Sequence, residues 1–496
     1  MRHDSLAGAR YLLPRLLIDS LITLALILPT VRSSATDSAT FRTRALQAAK
    51  KVRPGSESMV QPLIDAIVKE ESTGDALVAL SKSHGDEVAA AVLAEALQLD
   101  QEDARISAAE TLGELGFASR TELPALIAAL RDENEYVRNH AATALGNIGP
   151  EAQAAVPALI VALGEKSEHV RAQASEALGK IKVHAKQVVP ALILALQDDD
   201  SHVRFMTVEA LGTFGRDAAS AAQPLQNAVL HDDDHNVRWN AMRPLAAVDP
   251  EGTIAIPVLV AALKDRDPLL RRFAAMALGT LGPKAKESES LLLARLKDSD
   301  IGSRIAAAGA LWKVCGNAKD AVPVLIQVLE QEATIAHLWA ADEVAEIGAD
   351  AKDAVSALRK SMAKSHWPDA PAEALGNIGP DAAAAAPDLV ALLDSKNGET
   401  RAQAAAALWK INRHPRALPT LLEELKNPVD GSPFGAIVAI SQIGPPAKAG
   451  VSDLLKALSA RELYVRQAAA EALERIDPAA VPARNEPVPL PEQRDP

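Results

Sequence analysis

The sequence predicts an all-α solenoid, a right-handed superhelix of about 12–13 stacked helix pairs. Three observations point there. A unit of 33 residues recurs along most of the chain with small slips. An arginine stands fourteen residues after the start of most units. A large aliphatic residue stands twenty-one residues after the start. Two such marks held in phase over about 400 residues define a repeat.

Three consecutive copies begin at Pro124, Pro157 and Pro190. The register continues at Pro224, Pro257, Ser290, Pro323, Ser356, Pro387, Pro419 and Ser452; upstream, Ala91 fits it and Pro62 fits poorly. The arginines are Arg105, Arg138, Arg171, Arg204, Arg238, Arg271, Arg304, Arg401 and Arg466. His337 and Pro433 replace the arginine in two units, and the unit from Ser356 loses it. Each unit reads as two helices. Proline suits the first turn of the first helix, where its missing N–H has no intrahelical partner. The second helix carries Val137, Ala141, Leu145 and Ile148, a helical stripe, and Gly149-Pro150 ends it. One helix pair cannot bury both faces, so neighbours must stack.

Hydrophobic residues make up 48% of the chain and aromatics only 3%, which suits closely approaching, alanine-rich helices. The formal charge of −13 argues against a nucleic-acid partner, which needs clustered Lys and Arg. A single cysteine, Cys315, excludes an intrachain disulfide and a cysteine-based zinc site.

The recurring pattern Pro-Ala-Leu-Ile, acidic turn, Val-Arg, Ala-Ala-x-Ala-Leu-Gly-x-Ile-Gly resembles HEAT repeats of the phycocyanobilin-lyase type. The resemblance covers residues 91–477 and implies an α-solenoid whose second helices line the concave face. It implies less about function, because that family holds scaffolds, transport receptors, lyase subunits and a metalloenzyme.

The chain divides into an N-terminal signal peptide or anchor (1–35), a linker (36–60), the repeat array (61–481) and a Pro-rich tail expected to be disordered (482–496). Arg2, Arg10 and Arg15 precede the apolar run Leu16–Leu28, and Ser33-Ser34-Ala35 follows it. Charged start, short apolar middle and small-residue end describe an export signal. The product is expected outside the cytoplasm, periplasmic or extracellular, and membrane-bound only where the segment stays uncleaved.

Six residues before the arginine an acid recurs: Asp132, Glu165, Asp198, Asp232, Asp265 and Asp298 precede Arg138, Arg171, Arg204, Arg238, Arg271 and Arg304. The resemblance implies a structural ladder tying neighbouring turns together, and an anionic ligand on the arginines is the alternative. The loss of the acid after Asp298 predicts a less regular C-terminal half. The turns Asp198-Asp199-Asp200 and Asp232-Asp233-Asp234 lie near His169, His202, His231 and His235. They read as helix caps on an acidic rim, with a divalent-cation site as the alternative. No metal and no cofactor is expected. The HEAT-like hydroxylase holds iron through His-Glu dipeptides, and none of the eleven histidines here precedes glutamate. No catalytic residue is assigned.

Positions fifteen and nineteen residues after each start point off the buried stripe on a helical wheel. The middle units hold Phe205, Glu209, Trp239, Arg243, Arg272 and Met276 there. Trp312 and Trp409 occupy the slot twenty-two residues after the start, usually Gly or Ala, and are expected to pack. Trp and Arg are frequent binding anchors, so Phe205, Trp239, Arg243, Arg272 and Met276 are the candidate contacts for a protein or peptide partner, with Glu209 pairing with Arg243. The function expected is a non-catalytic binding scaffold; the alternative is a bilin-lyase-like or iron-dependent oxidoreductase-like subunit.

The export signal has a direct check. N-terminal sequencing of protein from the native host is expected to find a start near Thr36, and an intact Met1 in a soluble cytoplasmic fraction contradicts it.

Overall fold

The computed structural model describes residues 38–69, 86–331, 335–364, 367–428, 432–460 and 462–481. Residues 1–35 and the tail 482–496 lie outside them. All regular elements among the described residues are helical. They fall into two compact halves, one running to Val248, the other comprising Asp249–Ala460 and continuing from Tyr464. Each half is a stack of helix pairs, so the fold class is an all-α solenoid.

One repeat shows why the pair forms. Pro124 sits in the first turn of helix Leu123–Ala129. The chain then turns, and Asn134 caps helix Glu135–Ile148 by accepting from the Tyr136 and Val137 amides at 2.8 and 3.2 Å. Val137, Ala141, Leu145 and Ile148 are fully buried. Gly149 ends the helix at φ 85°, a left-handed value that a side chain resists, and Pro150 follows. A short 3-10 turn, Gly149–Ala155, leads into the next first helix.

The slot twenty-two residues after each start sets how closely second helices stack. A Cβ added at Gly146 or Gly179 would lie 3.0 or 2.8 Å from the Cα of Ala177 or Ala210 on the next second helix. A Cβ at Gly376 would lie 2.7 Å from the Cα of Ala407. Backbone therefore packs on backbone at these places. Where Trp312 and Trp409 fill the slot, both indoles pack against the core. There helix Ile301–Cys315 packs less closely on Ile335–Ile347, and Gly398–Asn412 on Phe434–Ile443, than the glycine-slot pairs do.

Arginines join the turns. In the first half Arg105, Arg171 and Arg204 donate through Nε to Asp132, Asp198 and Asp232 of the following repeat at 2.9, 2.7 and 2.9 Å. Nη2 closes a fork on the other oxygen of the same carboxylate. In the second half Arg271 grips Asp298 at 2.8 and 2.7 Å. Arg138 and Glu165 make a looser pair at 3.5 Å. Each Nη1 points the other way, onto the carbonyls six and five residues earlier, Asp265 and Arg266 in the case of Arg271.

Asp132, Glu165, Asp198, Asp232 and Asp298 each serve two arginines. Asp198 gives its carboxylate to Arg171 and its carbonyl to Arg204. It also accepts from the Asp200 amide at 2.9 Å. Asp232 and Asp298 repeat the arrangement. The pair seen in the sequence, acid and arginine six residues apart, is a main-chain contact; the charge pair runs to the preceding repeat. Burial opposes the charge on Asp298, but the Arg271 fork and the Asp300 amide more than offset it and hold the carboxyl below its ordinary range.

The ladder stops after Arg271. Arg304 keeps the carbonyls of Asp298 and Ser299, but Gln331 stands where the next acid would be, and Arg304 has no acidic partner among the described residues. His337 then fills the arginine slot. It is 2% exposed, its Nδ1 lies 3.3 Å from Ser361 Oγ, and its buried Nε2 has no partner among the described residues. Burial pushes its pKa down. Pairing resumes at Arg401, which reaches Glu424 on helix Ala417–Lys426 rather than an acid of the turn. Arg401 and Glu424 form a single pair, and Pro433 fills the arginine slot of the following unit, so the ladder is regular before Arg304 and interrupted after it.

The expected linker is corrected. From Ser38 the chain forms helix Ser38–Val52, then Glu57–Val68. Phe41, Ala45 and Ala49 are fully buried, and the first helix packs on Asp86–Ala96. Its basic residues decorate the outer side, while one apolar residue per turn supplies a core stripe.

Solenoid neighbours couple only to each other, so the gap has a local cost. Hydrogen exchange is expected to show helices Ile335–Ile347 and Asp369–Ile378 less protected than Pro268–Leu281 and Gly398–Asn412. Equal protection across these four helices would show that the ladder does not set local stability.

Candidate interaction surface

The second helices present the residues that neither the core nor the ladder uses. Among the positions nineteen residues after the starts, Glu209, Arg243 and Asp342 are exposed and Met276 is half-buried, while Gly309 and Ala406 are buried. In the middle units the positions fifteen residues after the start are not open, which corrects the helical-wheel expectation. Phe205, Trp239 and Arg272 are half-buried. This row leans toward the start of the next second helix: Asn139 donates to the His169 carbonyl at 3.1 Å. A wheel drawn for one helix has no neighbour on it, and here the neighbour covers the row.

In the first half Phe205 lies on helix Ser201–Phe214, and Trp239 and Arg243 on His235–Val248, which packs against it. The Trp239 ring lies 5.9 Å from the His235 ring, one turn earlier. Although Glu209 is exposed by surface area, the surrounding helices strip part of its hydration, which raises its carboxyl above the ordinary range, and Arg243 only partly opposes this; the two form no ion pair within bonding distance. In the second half Arg272 and Met276 stand one turn apart on Pro268–Leu281.

The aspartate turns act as caps. Asp200 accepts from the His202 and Val203 amides at 2.9 and 3.0 Å, and Asp234 from Asn236 at 2.7 Å. Among the described residues no three His, Cys, Asp or Glu converge as a metal site.

Two features escaped the sequence reading. The first is a row of exposed apolar groups. Of the seven large hydrophobic side chains exposed among the described residues, five stand at or just before the start of a second helix: Tyr136 in the first half, and Ile335, Trp367, Phe434 and Tyr464 in the second. Phe434 and Tyr464 meet edge-on at 4.9 Å. The available signal was a large apolar residue where a helix start normally carries a polar one.

The second feature is an open cleft of about 520 Å³ in the second half, lined by Leu269, Arg272, Ile301, Gln331, Ile335 and Trp339 among others. The Arg272 guanidinium lies flat over the Trp339 ring at 3.9 Å. Gly302 makes room for it: a Cβ there would lie 3.0 Å from Arg272 Cδ. Burial lowers the pKa of Arg272, and the charge of Asp300 opposes this only in part. Trp339 was legible only as a rare tryptophan two positions from the lost arginine at His337.

One turn along the same helix, Asp342 and Glu343 gather like charge. Glu343 lies over Gly309, whose Cβ would collide with its carboxylate. Burial raises the Glu343 carboxyl; Lys313 at 3.5 Å opposes the rise, and Glu346 and Asp342 add to it. A carboxyl raised by folding adds stability below its unfolded value, and that contribution is lost as pH rises through the folded value. Replacing Glu343 by Gln is therefore expected to raise the melting temperature at neutral pH. The gain should shrink as pH falls toward about 4.3, the unfolded glutamate range. Melts of both proteins across that window check it, and a lower melting temperature at neutral pH contradicts it.

Comparison with known proteins places these helices. The family of HEAT repeats matches residues 123–187, 182–246 and 222–291. A search of curated proteins finds no match. Among solved structures, importin beta shares 17% identity over 88% of this chain and 68% of its own, at a TM-score of 0.40. The complex of CpcE and CpcF of phycocyanin lyase from Nostoc sp. shares 26% over 48% of this chain and 92% of its own, at 0.32. Both scores are too low to transfer an activity. Residues 123–291 thus carry HEAT repeats, and the same helix pair, with its glycine and arginine slots, recurs in described repeats outside that span.

Proposed function

We propose that this chain is a non-catalytic scaffold that binds a protein or peptide along its second helices. One observation carries the reading: the exposed apolar side chains concentrate at the starts of these helices, Tyr136 in one half and Ile335, Trp367, Phe434 and Tyr464 in the other. Solvated repeats favour polar residues at such positions, and exposed apolar groups repeated at helix starts, four of them in the second half, mark an interaction site. Phe205, Trp239 and Arg243 in the first half, and Arg272 and Met276 in the second, supply further anchors. Affinity comes from a long contact and selectivity from a few aromatic and arginine side chains. The signal-like N-terminus supports a partner in the cell envelope or outside the cell.

Affinity capture from the native envelope, with mass spectrometry, names the partner. Trp239→Ala is then expected to weaken binding by about 2 kcal/mol or more while melting near the wild type. Leu245→Ala, on the buried face of the same helix, is expected to cost about 2–5 kcal/mol of stability. If Trp239→Ala melts as badly as Leu245→Ala, its ring is core. If it melts normally and binds unchanged, Trp239 is no anchor. A stoichiometric chromophore or iron in the purified protein overturns the non-catalytic reading.

A further inference from the structure

We propose that the cleft between the starts of helices Ile301–Cys315 and Ile335–Ile347 receives a peptide segment carrying one carboxylate beside a large apolar side chain, with Arg272 taking the carboxylate. This rests on the peptide-binding reading and adds the chemistry of one contact.

The cleft lies where the stack is least tied. The ladder is missing between Arg304 and Gln331 and at His337, and Trp312 occupies the slot that elsewhere admits backbone-to-backbone packing. Neighbouring second helices thus stand apart here, and the gap is left open to solvent.

The charge requirement is specific. Next to Arg272 in the chain, Arg271 has its carboxylate at Asp298. Arg272 is half-buried, lies on Trp339, and has no hydrogen bond or ion pair among the described residues. Asp300 does not serve it, because its carboxylate caps the next helix, accepting from the Ser303 amide at 2.6 Å. A half-buried guanidinium without an anion gains from one supplied from outside. The rest of the lining is apolar at Leu269, Ile301, Trp339 and Ile335, the last 59% exposed, and polar at Gln331 and at Asp300, whose charge offsets that of Arg272 only in part. The volume of about 520 Å³ is in the range of small-ligand sites and suits one or two side chains. Asp342 and Glu343, one turn beyond Trp339, repel further negative charge, so a single carboxylate fits where an acidic run does not.

The test uses the full chain and fluorescein-labelled acetyl-Gly-Leu-Glu-Phe-Gly-amide, read by anisotropy. Three variant peptides replace Glu by Gln, flank it with two further Glu residues, or replace Leu and Phe by Ser. The parent peptide is expected to bind saturably, and each variant about tenfold more weakly. Arg272→Gln should bring the parent peptide down to the level of its Gln form while leaving the Gln form unchanged. Trp339→Phe should retain part of the binding and Trp339→Ala should lose it, with circular dichroism reporting the fold of each. Equal binding of the Glu and Gln peptides, no effect of Arg272→Gln, or no saturation by about 1 mM, a millimolar Kd being the weak limit of specific binding, overturns the proposal. Lys166→Ala, at an exposed side chain of the other half with no assigned role in binding, should not change peptide binding. If an envelope partner responds to Trp239→Ala but not to Arg272→Gln, the scaffold reading stands and the cleft assignment falls.

Discussion

The arginine at each turn is the joint on which the stack depends. Its guanidinium has two working edges. One edge takes two carbonyls of its own turn, and the other takes the carboxylate of the next. Turn carbonyls and a carboxylate at the edge of a helical stack are costly to leave dry and unpaired, and one planar cation satisfies both. The pairs at Arg105, Arg204 and Arg271 are largely buried. Removing one partner of a buried pair leaves the other uncompensated, so arginine and acid are retained together.

The glycine slot acts on the opposite side of the same helix. With no Cβ, the second helix accepts the next backbone at van der Waals distance, and register is then set by shape as well as charge. Ladder and slot agree through most of the described repeats. They fail together around Arg304, Trp312 and His337. At that place the molecule opens a cleft, exposes Ile335 and leaves Arg272 on an indole with no ion pair among the described residues. A binding position in a repeat protein arises naturally where the repeat is broken, because unbroken repeats satisfy their own polar groups.

The electrostatics of the second half follow the same division. Asp298 is held charged by Arg271, whereas desolvation pushes Asp342 and Glu343 toward their neutral forms, helped by Glu373 and Glu346 at Asp342 and by Glu346 and Asp342 at Glu343. Acidification therefore weakens the ladder and relieves the open face at the same time. The two effects have opposite signs on stability and act on different residues.

What the sequence by itself determined was whatever is coded inside one repeat. The period, the buried stripe Val137, Ala141, Leu145 and Ile148, the proline start, the glycine end and the arginine slot are local, and helix geometry turns them into faces without reference to a neighbour. Only the tertiary structure decided contacts between repeats. It sent the charge of Asp198 to Arg171 of the preceding repeat, while Arg204, its sequence partner, took only the carbonyl. It half-covered Phe205, Trp239 and Arg272 and built the first core layer from Phe41, Ala45 and Ala49 of the supposed linker. Arg272 and Trp339 stand on second helices two repeats apart, and no window of sequence contains both as neighbours. Their meeting depends on how far adjacent helices stand apart, and that distance is set by the volumes packed between them.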